Sequence, residues 1–167
     1  MIPKSNIKFM NPVKAQVIRK DGSVEDVPLV FNDVVLEGFQ YLLGSGFRAV
    51  AQISNWYLGL ITSEGVSDPV LDESDTLASK AWSETTTYSE ATRPEWAADL
   101  VDEKNISNNT AREFTFNANS EIRGVFVASS NTKGGTSGTL WATALFAANM
   151  SFTSGEILKV IYSVSAS

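Results

Sequence analysis

The sequence contains no histidine and no cysteine. Without an imidazole the chain cannot form the Ser-His-Asp or Cys-His systems, in which a nucleophile passes its proton to histidine. The two absences also exclude disulfide bonds, histidine pH switches and tetrahedral zinc sites built from thiolates and imidazoles. The composition therefore favours a protein that is not an enzyme, and we predict neither a metal nor a cofactor.

Charged residues are also scarce. They make up 19% of the chain, and 13 Lys and Arg against 19 Asp and Glu give a net charge of -6. A sparsely charged acidic chain is poorly suited to bind a phosphate backbone, so we expect no nucleic-acid partner. No stretch approaches the roughly 20 apolar residues of a membrane span, and Met1 to Asn6 begin no signal-peptide core. We expect a soluble protein made in the cytosol, with no membrane partner.

Hydroxyl, amide and glycine residues are abundant. Twenty serines and 13 threonines account for 33 of the 167 residues, and there are 11 glycines and 11 asparagines. The apolar fraction of 43% is typical of a globular protein, and the length suits one domain. Polar strand faces joined by many turns would use such a composition, so it favours a β protein.

The beginning of the chain is mixed in character. Residues 1–12 contain Pro3 and Pro12, and we interpret them as an N-terminal arm with a short strand near residues 7–9. The remaining residues, 13–167, are predicted to form one folded domain.

A hairpin is predicted directly after the arm. Two β-prone runs at 15–19 and 24–31 flank Asp21-Gly22, and Asp-Gly between such runs is a strong hairpin signal. Pro28 cannot donate a hydrogen bond to a neighbouring strand, so the second strand is predicted to lie at a sheet edge.

One short amphipathic helix is predicted over residues 32–44. Asn32 or Asp33 can cap its start, and Gly44 can end it. Apolar residues recur at helical spacing, at Val35, Leu36, Phe39, Leu42 and Leu43. We expect this apolar face to cover an open end of the sheet. The polar face has no basic residue, so binding to a membrane surface is not expected.

Residues 63–105 are polar, acidic and poor in strand signal, and they follow an apolar strand predicted at 55–62. A loop of this length is unusual inside a domain. Because it contains several large aromatic residues, we predict an ordered excursion rather than a disordered linker, with a short helix at 95–101.

The rest of the chain has a clear β pattern. Strands are predicted at 114–116, 122–128, 139–147 and 158–164, with a glycine-rich hairpin connection at 129–138. The predicted fold is an all-β antiparallel sandwich, jelly-roll-like, with one short helix and the long ordered loop.

Three sequence patterns resemble chemical sites. The run Lys133 to Thr139 is rich in glycine, but a phosphate loop needs its lysine after the glycines and a helix behind it, so we favour a plain hairpin. Asp68, Asp72, Glu73 and Asp75 could hold calcium, but they lack the spacing of a calcium loop and are interpreted as a solvated acidic turn. Asn108-Asn109-Thr110 matches the glycosylation sequon, which we interpret as a chance match.

Carboxylates of the long loop leave an enzymatic alternative open. Glycoside hydrolysis needs two carboxylates at a set separation, and the loop offers Glu84, Glu90, Glu95, Asp99, Asp102 and Glu103. Trp82 and Trp96 could stack on sugar rings, although such residues more often fix a loop in place. A glycosidase or lyase domain is therefore an alternative, less favoured than a binding role.

Three segments of the chain carry a family resemblance. In one-letter code they are NWYLGLI at 55–61, DTLASKAWSE at 75–84 leading to YSEATR at 88–93, and SSNTKGGTSGTLWA at 129–142. The combination resembles a family of small virion proteins of tailed bacteriophages, encoded near the capsid genes. The resemblance extends over about residues 32–167, and no catalytic residue carries over from it.

The resemblance implies a capsid decoration or cement protein on the outside of the virion, made in the host cytoplasm. Its expected partners are the major capsid protein and further copies of itself, as a homodimer or homotrimer. We expect contacts through the arm and through Trp82, Tyr88, Arg93 and Trp96, with packing of these four within the loop as the alternative. A tail or head-fibre component that binds host carbohydrate is the alternative function.

Overall fold

The structure is a computed structural model, and it describes residues 9–65, 68–102 and 104–166. One helix is found in this part of the chain, α1 (Leu36–Phe47). The strands are β1 (Phe9–Ile18), β2 (Val24–Val34), β3 (Tyr57–Thr62), β4 (Ser83–Glu84), β5 (Asp99–Asp102), β6 (Asn105–Ser107), β7 (Arg112–Thr115), β8 (Ser120–Ala128), β9 (Leu140–Phe152) and β10 (Ile157–Ala166). The predicted all-β class with one short helix is confirmed.

The strands form two antiparallel layers. The first has the order β4-β3-β8-β9, and the second places β1 between β2 and β10, with β6 and β7 on the far side of β10 and β5 beyond β6. Strand β2 joins the layers, because Asp33 and Val34 pair with Thr143 and Ala142 of β9. The predicted sandwich is confirmed. Both hairpins, β1-β2 and β8-β9, keep consecutive strands side by side, and the finer jelly-roll path stays a prediction.

The main core lies between the two layers. Alternate residues of each strand point into it, as the period of two along a strand requires. From the second layer come Val13, Ala15, Val17, Leu158, Val160 and Tyr162, and from the first come Leu58, Leu60, Val125, Val127 and Ala144.

The first layer is buried on its outer face as well. There Ile61, Phe126 and Leu140 pack against Leu77 and Trp82 of the long excursion. The rings of Trp82 and Phe126 lie 5.0 Å apart between centroids. The excursion therefore forms a third layer on this face, and this explains why β3 and the second half of β8, residues 125–128, are apolar on both faces.

The predicted β1-β2 hairpin is confirmed, and Gly22 turns it with a φ of 84° that favours glycine. Over Val24–Phe31, β2 pairs with β1 alone, and Pro28 lies where the register shifts, opposite Lys14. The bulge removes the need for a donor at Pro28. The edge prediction is correct for this stretch, although the end of β2 lies inside the sheet.

The predicted helix start is wrong by four residues. Strand β2 continues through Val34, so α1 begins at Leu36 and runs past Gly44 to Phe47. Asn32 and Asp33, the expected caps, are strand residues, because pairing with β1 and β9 satisfies the backbone that a cap would have satisfied. Val35 occupies the cap position without a capping side chain.

The excursion contains more strand than its sequence suggests. The short strands β4 and β5 lie within 63–105, and the predicted helix at 95–101 is wrong. Glu95 forms a bridge with Tyr57, and Asp99–Asp102 pairs with β6, so backbone pairing overrides the weak helical pattern. At the other end, β1 begins at Phe9, inside the predicted arm, and residues 1–8 of the arm lie outside the described residues.

Candidate functional site

The four predicted contact residues are buried. Trp82, Tyr88, Arg93 and Trp96 are 3%, 0%, 1% and 5% exposed. Side chains with so little exposed surface offer a partner almost nothing to contact while the chain stays folded, so their burial speaks against the predicted contact; Trp96 also borders an apolar pocket. The alternative, packing within the loop, is what the structure has, and each residue holds the excursion to the sandwich.

Arg93 makes a buried ion pair with Glu84. Its Nε and Nη2 donate to the two carboxylate oxygens at 2.8 and 2.6 Å, and both side chains are almost fully buried. The remaining guanidinium hydrogens reach the carbonyl oxygens of Ser130 and Gly135 at 2.8 and 3.0 Å. The pair thus connects the excursion to the β8-β9 connection, and it satisfies most of the donors that burial removes from water.

The glycine-rich connection is held by this same carboxylate. The backbone N–H of Gly134 donates to Glu84 Oε2 at 2.9 Å. Lys133 reaches the carbonyl oxygen of Tyr88 at 2.8 Å, and its Nζ lies 4.2 Å from the centre of the Tyr88 ring. The run therefore binds a carboxylate of its own chain and closes a hairpin, which is the plain interpretation made from the sequence.

The two tryptophans use their indole N–H groups internally. Trp82 Nε1 donates to Asp75 Oδ2 at 2.8 Å, and Trp96 Nε1 donates to the carbonyl oxygen of Tyr162 at 2.9 Å. Buried indole N–H groups usually find such a partner, although that of Trp141 has none among the described residues. Neither ring is available as a platform for sugar.

The acidic residues of the excursion shape turns. Asp72 accepts from the backbone N–H and the hydroxyl of Ser74, which lowers its pKa, and Asp68 lies 3.4 Å from Arg123. Glu90 accepts from the backbone N–H of Thr115. Among residues 9–65, 68–102 and 104–166, no three acidic side chains converge as a metal site would require.

Helix α1 carries an exposed apolar surface. Leu36, Leu43 and Phe47 lie along one side of the helix and are 50%, 56% and 85% exposed. Phe39 and Val50 extend this surface and are 38% and 48% exposed, and the ring of Phe39 contacts that of Phe9, with centroids 5.9 Å apart. We call these five residues the apolar helix face. Together they expose several hundred Å², about the size of the largest apolar patch on a typical monomer, which is often functional.

Glycine explains why the large residues point outward. Gly38 and Gly44 are the buried positions of α1, and a Cβ on Gly38 would lie 2.4 Å from the carbonyl oxygen of Trp141. The helix backbone therefore lies directly on β9. We expected Leu36, Phe39 and Leu43 to cover the sheet. This expectation is wrong, because the buried residues of α1 are Gly38 and Gly44.

The apolar helix face is also nearly free of charge. Glu37 is the one charged residue of α1, and its carboxylate accepts from the backbone N–H of Leu140 at 2.8 Å. Arg48 follows the helix directly, so the charge nearest to Phe47 lies at the end of this face. In the described residues, no helix has both the length and the apolar character needed to cross a bilayer.

The sequence did contain a signal for this surface. Apolar residues of α1 fall on both sides of the helix, so one side had to stay uncovered, and glycines spaced six apart marked the side that packs.

Comparisons with known proteins add no assignment: no protein-family model matches the chain, and no match is found among curated proteins.

Proposed function

We propose that this chain is a structural virion protein that binds the outer surface of a tailed-phage capsid and stabilises it, as a decoration or cement protein. The observation that carries the proposal is the apolar helix face. A rigid β-sandwich that displays Leu36, Leu43 and Phe47 without a partner in its own described residues has the surface of a docking protein. The resemblance over residues 32–167 supplies the identity of the partner, the major capsid protein.

The physical requirements of a cement protein agree with this surface. Such a protein stabilises the assembled shell by mass action, because it binds that state and not the free subunits. Many modest contacts repeated on a symmetric lattice add through multivalency, so a patch of this size suffices at each site. Self-association as a homodimer or homotrimer around a local symmetry axis would extend the contact further. The net charge of -6 suits an exterior position, away from packaged DNA.

The proposed role is binding without catalysis. Glu84, Glu90 and Glu95 each accept a hydrogen bond from another residue of the chain, namely from Arg93, from the backbone N–H of Thr115 and from Asn55. For the alternative function, a fibre component that binds carbohydrate, the sequence support came from Trp82 and Trp96, and both are buried. We propose the capsid function alone.

Pelleting with capsids tests the proposal. Purified chain is mixed with empty heads of the phage whose genome encodes it, and the bound fraction is measured after sedimentation. Phe47→Ser and Leu43→Ser should weaken binding at least tenfold, whereas Val24→Ser, at a site 58% exposed beside the β1-β2 turn, should leave it unchanged. Exposed substitutions usually change stability by no more than about 0.5 kcal/mol, so lost binding would not reflect unfolding. Absence of wild-type binding, or equal binding by all variants, would refute the proposal.

A further inference from the structure

A small apolar pocket lies beside α1. Its volume is about 170 Å³. The lining residues are Tyr41 and Leu42 of α1, together with Trp56, Trp96, Ile106, Trp141 and Val164. Four of these seven side chains are aromatic. Sequence reasoning missed the pocket, because its walls come from segments far apart in the chain.

The walls of the pocket are fixed before any ligand arrives. Trp56 lies edge-on to Tyr41, with centroids 5.3 Å apart, and edge-on to Trp141, with centroids 5.9 Å apart. The Tyr41 hydroxyl accepts from the backbone N–H of Ile53 at 2.6 Å, and Trp96 is held through its indole N–H. A preformed pocket loses little entropy on binding.

The size and lining select one aromatic ring. An apolar cavity of about 150 Å³ is known to hold benzene, and the pocket here is slightly larger. Rings arranged edge-on favour a further ring in the same geometry. A sugar ring is a poorer fit, since its several hydroxyl groups would find few partners: the polar atoms of Tyr41 and Trp96 are already hydrogen-bonded, and the indole N–H of Trp141, which has no partner among the described residues, is a single donor.

We infer that this pocket receives one aromatic side chain from the capsid protein that docks on α1. The inference rests on the proposed function and names the kind of contact that gives it specificity. Leu42 lies three residues after Phe39 and therefore on the same flank of α1, so the pocket adjoins the apolar helix face at Phe39. Aromatic side chains inserted into preformed pockets supply much of the binding free energy at protein interfaces.

Toluene is the probe for the ring site in the isolated chain. In ¹H–¹⁵N spectra the indole N–H signals of Trp56, Trp96 and Trp141 should shift and saturate, with a Kd on the order of 1 mM. The signal of Trp82, which packs in the separate cluster on the outer face of the first layer, should not move. Ile106→Phe and, independently, Leu42→Phe should fill the pocket and abolish saturation. Ile161→Phe, on β10 and outside this pocket, is the matched control.

Pelleting with capsids then tests whether the aromatic side chain that enters the pocket comes from the capsid protein. Ile106→Phe should bind capsids at least tenfold more weakly than Ile161→Phe, with unchanged thermal unfolding. Absence of saturable toluene binding by the wild type would overturn the inference and leave the proposed function standing if capsids are still bound. Equal pelleting of the two variants would also overturn it. If toluene bound only after residues 1–8 were removed, the chain would fill its own pocket, and the inference would be wrong.

Discussion

Arg93 and Glu84 face each other through two hydrogen bonds of 2.8 and 2.6 Å in a part of the molecule that water does not reach. The pair joins a polar excursion to a glycine-rich connection, two segments that have little hydrophobic reason to meet. Its guanidinium also lies over the Phe126 ring, with Cζ 5.0 Å from the ring centre. The ion pair is therefore one of the contacts that fix both segments on the sandwich.

Arg93→Met should lower the free energy of unfolding by about 3–5 kcal/mol, because it leaves the Glu84 carboxylate buried without its counter-ion. Urea unfolding measures the loss. Lys159→Met breaks the half-exposed pair with Glu113 and should lose no more than about 1 kcal/mol. A smaller loss for Arg93→Met than for Lys159→Met would contradict this role of the buried pair.

Alkaline pH should unfold the chain through Tyr88 and Tyr162. Burial raises the pKa of both phenols above the ordinary value of 10.0, and neither hydroxyl finds a hydrogen-bond partner among the described residues. Above about pH 10 the unfolded chain loses protons that the folded chain retains, so stability is complete below that pH and falls above it. Each tyrosine contributes a slope of about 1.4 kcal/mol per pH unit.

Urea midpoints between pH 8 and pH 11 test this effect. Tyr88→Phe and Tyr162→Phe should each reduce the alkaline slope, and at pH 7 they should be neutral or slightly stabilising, because they remove a buried hydroxyl without a partner. A slope unchanged in the double variant would rule out these two phenols as its source.

Gly38 and Gly46 of α1 should respond oppositely to alanine. At Gly38 the new methyl group meets the carbonyl oxygen of Trp141, so the helix must move away from β9, at a loss of about 1–3 kcal/mol. At Gly46 the new group meets open space, and the better helix propensity of alanine should add up to about 1 kcal/mol. Thermal unfolding of the two variants distinguishes these outcomes, and a stabilising Gly38→Ala would disprove the close packing.

Asn108→Asp should be far more damaging than Asn109→Asp. The Asn108 amide is fully buried: its Oδ1 accepts from the N–H of Tyr162 at 2.7 Å, and its Nδ2 donates to the carbonyl oxygen of Val160 at 2.9 Å. A carboxylate there loses the donor and buries a charge, which should cost about 3 kcal/mol or more. Asn109 is exposed, so its substitution should be nearly silent in urea unfolding. Because Asn108 is buried, it is also out of reach of glycosylation in the folded chain.

Local pattern predicted the strands well. Asp21-Gly22 gave the first hairpin, and the alternation along 158–164 gave β10 with its inward face, because a period of two is visible within a few residues. The start of α1 was missed, since Asn32 and Asp33 pair with strands that no local window contains.

The candidate surface could not be predicted in the same way. Whether Trp82 or Phe47 is exposed depends on which segment covers it, and that is a property of the whole fold. Trp82 packs on Phe126, more than forty residues away, while Phe47 is left 85% exposed at the end of α1. An aromatic residue in a polar loop suggested an exposed contact. Trp82 is instead buried, although it belongs to neither a strand nor a helix.

The pairing of β1 with β10 sets the order in which the molecule can be completed. Ile18 pairs with Ile157 and Phe9 with Ala166, so one of the two strands beside β1 lies more than 130 residues further along the chain. During synthesis the edge of β1 that pairs with β10 stays unpaired until residues 157–166 have left the ribosome. Contacts so distant along the chain fold slowly. We therefore expect the growing chain to depend on chaperones that shield apolar strands until its last strand arrives.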